Sequence, residues 1–104
     1  MNGKEGVLPK YSNFRIGKDK QMTDDEFDLL DELYFVQHFD YLKDALGWED
    51  QRLLTTLQSL HEKSFIKCLI GPDDEIFSKV NFLNQGKQLY YLATKKGLME
   101  HNAL

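Results

Sequence analysis

Residues 41–66 read YLKDALGWEDQRLLTTLQSLHEKSFI, and this stretch decides the fold. A short helix over 39–46 stops at Gly47, a residue suited to the left-handed conformation that ends helices. Glu49 or Asp50 can cap the helix that follows. In that helix Leu53, Leu57 and Leu60 fall on one side at about 100° per residue, with Ser64 near the same line. Gln51, Thr55, Gln58 and Glu62 point the opposite way, flanked by Arg52 and Ser59. The stretch therefore predicts two short helices joined by a tight turn, with a leucine stripe inside, a polar face outside and an exit into a strand.

Upstream, Thr23 precedes DDEFDLLDELYF. Thr23 and Glu26 have the spacing of a capping box, and Asp24 and Asp25 suit the positive end of the helix dipole. Phe27, Leu30, Leu33 and Tyr34 recur at helical spacing, with Asp28, Asp31 and Glu32 toward the other side. Downstream, 65–70 alternates as a strand that places Ile66, Cys68 and Ile70 on one face, and GPDDE supplies a turn. Residues 89–93 form a second strand after the turn NQGK, and Thr94 caps a last short helix, KKGLMEHN, which Gly97 weakens. Between the strands, IFSKVNFL either extends the hairpin or forms a separate short element.

Length and composition suit one small core: 104 residues, 41% hydrophobic and 12% aromatic. Residues 1–22 carry five Lys/Arg against two Asp/Glu and read as an arm; residues 23–104 carry eight against fifteen, a balance of −7. An acidic body argues against strong nonspecific attraction to phosphate. With no signal-peptide pattern and no run near the ~18 apolar residues of a membrane span, a cytoplasmic location away from membranes is expected. The single cysteine, Cys68, reads as a small buried hydrophobe.

Taken in order, these features resemble the winged helix-turn-helix domains of small bacterial transcriptional regulators of the MarR and PadR types. The resemblance spans residues 23–97: ALGW then EDQRLLTTL as helix, turn and recognition helix, Leu57, Leu60, Phe65 and Ile66 in the LxxLxxxGhI exit, and Tyr91, Thr94 and Gly97 in the closing YxLTxxG pattern. It implies an α+β, mainly helical domain over 23–104: a three-helix bundle, a β-hairpin wing and a short C-terminal helix. Several positions depart from the pattern. Ser64 replaces the usual Gly, so that turn must be left-handed or different. Leu54 and Thr55 stand in place of a Ser-Arg pair, Ala93 in place of Leu, and Asp73, Asp74 and Glu75 where a DNA-binding wing carries cations.

The resemblance implies a DNA-binding transcriptional regulator, with Gln51, Arg52, Thr55, Gln58 and Ser59 toward bases and phosphates. Phosphate anchoring would fall to Lys43, Lys79 and Lys87, with Lys4, Lys10, Arg15, Lys18 and Lys20 of the arm; the alternative is that all these are ordinary solvated residues. The partners so implied are double-stranded DNA and a second copy of the chain. A different reading makes the chain a protein-interaction module, in which Asp24, Asp25, Asp28, Asp31 and Glu32 meet a basic protein partner. Under that reading an exposed Trp48 would serve as an anchor, although a residue at such a turn more often packs inward. An enzyme is not expected. His38, His61 and His101 lack metal-ligand spacing, the acidic run lacks the alternation of a calcium loop, and no glycine loop cradles a phosphate, so no cofactor or metal is implied.

Overall fold

The computed structural model describes residues 22–103; the basic arm expected over the first residues lies outside them, except Met22, which is buried in the core. Helix α1 (Asp24–Asp31) starts on the capping box, with Glu26 N–H donating to Thr23 Oγ1 at 3.1 Å and Thr23 N–H to Glu26 Oε1 at 2.8 Å. Leu29, Leu30 and the following Leu33 are fully buried, whereas Tyr34 lies at the surface. The Leu33 carbonyl accepts from Ala93 N–H, which ties the end of this helix to the last strand.

Strand β1 (Gln37–His38) leads into α2 (Phe39–Leu46), capped by His38 Nδ1 accepting from Asp40 N–H. Gly47 ends α2 at φ 69°, as the sequence predicts. Of the two residues expected to cap α3 (Asp50–Glu62), Glu49 holds the position. It does so without a side-chain hydrogen bond, and the Asp50 carboxylate turns instead to two lysines, which outcompete the backbone amides for it. Leu53, Leu57 and Leu60 are fully buried, and Leu54 joins them at 6% exposure.

Ser64 closes α3 in the left-handed conformation, φ 64°. A Cβ at that angle is strained by roughly 1 kcal/mol, more than the backbone entropy a glycine would add. Ser64→Gly is therefore expected to add about 0.5 kcal/mol of stability, read as a slightly higher urea midpoint; a lower midpoint would show that the serine side chain stabilises the turn.

Strand β2 (Ile66–Gly71) pairs antiparallel with β3 (Asp74–Ile76) across the Pro72-Asp73 turn, and with β4 (Tyr90–Ala93) on its other edge. Since β4 also pairs with β1, the sheet runs β1-β4-β2-β3, all antiparallel. Ile66 and Cys68 face the core as expected, but Ile70 does not. The register slips between Leu69 and Gly71, and the break in alternation leaves Ile70 63% exposed. The ambiguous segment proves to be both alternatives: Ile76 finishes the hairpin, and α4 (Phe82–Gln85) follows, capped by Asn81. The expected NQGK turn is the end of α4 running into a 3-10 turn over Gly86–Gln88, where Gly86 packs against Leu54 and its carbonyl accepts from the buried Tyr91 hydroxyl at 2.6 Å.

Helix α5 (Lys95–Asn102) is capped by Thr94 and seated by Gly97. The glycine that weakens this helix on propensity permits its packing, because a Cβ there would lie 2.1 Å from the Phe65 carbonyl oxygen. The result is an α+β unit whose helices cover one face of a four-stranded antiparallel sheet, a larger sheet than the simple hairpin expected. No helix among the described residues is long and apolar enough to cross a membrane.

Candidate functional site

On α3, Gln51, Thr55 and Gln58 form an exposed row, with Gln51 Nε2 donating to Thr55 Oγ1 at 3.0 Å and Gln58 Nε2 reaching Glu62 at 3.5 Å. Beside Gln58, residues Lys79, Val80, Asn81, Phe82 and Leu83 line an open groove of about 380 Å³. Lys79 makes no ion pair among the described residues. These four predicted site residues thus share one surface.

The remaining four are engaged within the fold. Arg52 donates from Nε and Nη2 to the two Asp25 oxygens at 3.0 and 2.8 Å, and its guanidinium lies 4.2 Å over the Trp48 ring. The hydrogen bond from Arg52 holds the Asp25 carboxyl below its ordinary value, and Asp25 raises Arg52 in return. Ser59 donates to Glu26. Lys43 and Lys87 converge on Asp50 at 2.8 and 3.2 Å, and their hydrogen bonds hold that carboxyl low as well. The hairpin beyond carries exposed Asp73 and Asp74, with Glu75 paired to Lys67 at 3.5 Å. The surface around α3 is therefore polar and short of available positive charge.

A second concave surface lies between α1, the end of α2 and Trp48. Phe27, Ala45, Leu46 and Trp48 line a shallow cleft of about 330 Å³ together with Asp28, Asp31 and Glu32. The carboxylates come from positions i, i+3 and i+4 of the first helix and the residue just after it, which places them along one side. Trp48 is only 7% exposed, so it is part of the packed turn and not a projecting anchor. Asp31 also lies 3.6 Å from His101 Nε2, and Glu32 accepts from the Tyr41 hydroxyl at 3.4 Å. His101 stacks on Phe27 at 4.1 Å between ring centroids, and its Nδ1 meets the Tyr34 hydroxyl at 2.7 Å.

Helical periodicity places the acids on one helix but gives no sign of the apolar residues beneath them, because Leu46 and Trp48 arrive through the α2–α3 turn. Nor does it reveal the cluster at Glu26. This carboxylate is 1% exposed and accepts from Thr23 N–H, from Ser59 and from Lys63 Nζ at 2.7 Å. The capping box is the locally visible part of that cluster; Ser59 and Lys63 are 33 and 37 residues away.

Cys68 is buried, and burial together with the nearby Glu75 charge pushes its thiol up to about 12, which keeps it protonated and poorly nucleophilic. Among the described residues no group of His, Cys, Asp and Glu is arranged to hold a metal ion. No family model, curated protein or solved structure matches the chain.

Proposed function

We propose that the chain is a winged-helix protein-interaction module that captures a basic segment of a partner protein in the cleft between α1 and α2. The winged-helix reading is supported by the order of elements: three helices with a tight α2–α3 turn, a hairpin directly after α3, and a closing strand that lies beside it and beside the short β1. The observation that carries the interaction reading is the cleft itself, three carboxylates over Phe27, Leu46 and Trp48. An aliphatic stem of lysine or arginine matches such a floor while its charged head meets the rim. A body of net charge −7 draws such a segment in, and salt screens the attraction.

Trp48 is the one tryptophan, so its fluorescence reports on this cleft directly. Titration with a lysine- and arginine-rich peptide is expected to change that emission, with an affinity that falls as salt rises. Combining Asp28→Lys with Asp31→Lys should weaken binding by at least about tenfold. Thr55→Ala with Gln58→Ala should leave it unchanged. A charge-reversed variant that binds as tightly as the parent would sink the proposal.

The exposed row of Gln51, Thr55 and Gln58 beside Lys79 favours a second reading, recognition of duplex DNA by α3. Glutamine can pair with adenine through two hydrogen bonds, and alanine at a position that truly reads a base would cost about 1 to 3 kcal/mol, with relaxed preference at that base pair. This reading ranks second because Arg52, Lys43 and Lys87 are already paired and the hairpin tip is acidic. Phosphate contacts supply most nonspecific affinity, and few cations remain here to make them.

A further inference from the structure

We propose that Asp25 and Asp50 are specificity-determining residues that close the α3 face to duplex DNA by holding its cations in internal ion pairs. Three of the described Lys/Arg side chains border this end of α3, and two carboxylates hold all three: Asp25 takes Arg52 through a two-point contact, and Asp50 takes both Lys43 and Lys87. The groups are accessible. Side-chain exposure is 45% for Lys43, 56% for Lys87 and 50% for Arg52, so a phosphate oxygen could reach each one if the carboxylate were gone.

The arrangement matters because of where the carboxylates sit. Asp50 is the first residue of α3, and its two oxygens occupy the point on which two lysines from different elements converge. A DNA phosphate would have to displace a covalently tethered anion from that point. The two-point Arg52–Asp25 contact and the Asp50 carboxylate shared by two lysines tie α3 to its neighbours, and the same contacts withhold all three cations from an incoming phosphate. The exposed hairpin acids Asp73 and Asp74 carry the same charge but hold none of these cations. That difference separates release of specific cations from a general change in net charge. The inference rests on the winged-helix reading of α3 but not on the basic-peptide cleft, which neither Asp25 nor Asp50 lines.

The test is binding of the full chain to a mixed-sequence duplex DNA across a salt series, for the parent, Asp25→Asn/Asp50→Asn and the charge-matched Asp73→Asn/Asp74→Asn. The first variant should gain about tenfold or more at 50 mM salt, with a slope of log affinity against log salt steeper by about 2 to 3, because each released cation contributes close to 0.9. The charge-matched variant should change less than about twofold. Adding Lys43→Ala and Lys87→Ala to Asp50→Asn should reverse that single variant's gain, which keeps the idea testable if the double variant melts. Equal gains in both double variants, or a gain in neither, would overturn the proposal. Basic-peptide titration of Asp50→Asn alone, which leaves Arg52 held by Asp25 over the Trp48 ring, is expected to stay within about twofold of the parent. Failure of the parent to bind the peptide would count against the cleft alone.

Discussion

Gly97→Ala is expected to remove about 3 kcal/mol of stability, at the upper end of overpacking effects, and to lower the melting temperature by roughly 15 °C for a unit of this size. The reason is a backbone collision. A Cβ at Gly97 would lie 2.1 Å from the Phe65 carbonyl oxygen and 2.9 Å from its carbon, and backbone cannot swing away as a flexible side chain can. The same carbonyl accepts from Thr94 N–H at 2.9 Å, and Thr94 Oγ1 donates to the Ser64 carbonyl at 2.7 Å. A displaced α5 would therefore lose its cap as well as its seat. On an open helix surface the same substitution would stabilise, by up to about 1 kcal/mol, through the better helix propensity of alanine. The sign alone thus decides whether α5 is seated against the strand entry. Urea unfolding with an unchanged m-value and a much lower midpoint is the predicted outcome.

Glu26→Ala is expected to cost a further comparable amount, about 3 kcal/mol, because it removes one carboxylate that satisfies three donors from two helices. Lys63 is 37% exposed and can turn to water, which keeps the loss at the lower end for a buried pair. The same group gives the chain an acid-side limit. Burial alone would raise the Glu26 carboxyl, but hydrogen bonds from Lys63, Ser59 and the Thr23 amide outweigh it and leave it below its ordinary value of 4.5. The unfolded chain then binds the proton more tightly than the folded one. The Glu26 contribution is complete above about pH 4.5 and disappears as pH falls through the lowered folded value. Stability measured from pH 6 downward should fall less steeply in Glu26→Gln than in the parent. Parallel curves would place the acid sensitivity elsewhere.

Much of this architecture was legible in the chain, for identifiable reasons. Local signals carried the caps at Thr23 and Thr94, the stop at Gly47 and the leucine stripe of α3, each of which depends on residues no more than about one turn apart. Even the left-handed Ser64 was foreshadowed, since the resemblance placed a glycine there. Tertiary choices were not legible. The slip at Ile70 depends on how β2 pairs with β3, and the tight approach at Gly97 depends on Phe65, 32 residues earlier. The candidate site was half legible for the same reason. Periodicity put Gln51, Thr55 and Gln58 on an open face correctly, and put the α1 acids along one side. It could not foresee that Asp25 and Asp50 would take Arg52, Lys43 and Lys87, because those partnerships are made between elements. Counting the cations in a sequence overstates the charge a surface can offer.

Under the proposed function a basic partner docks on the acidic cleft and not on α3. Amide chemical-shift mapping of the full chain at 50 mM salt, once with a lysine- and arginine-rich peptide and once with duplex DNA, tests it most directly. The peptide is expected to shift the amides of Asp28, Asp31 and Glu32 and the indole of Trp48, while DNA leaves Gln51, Thr55, Gln58 and Lys79 in place. Saturable DNA-induced shifts along those four residues, with the cleft silent to the peptide, would contradict it.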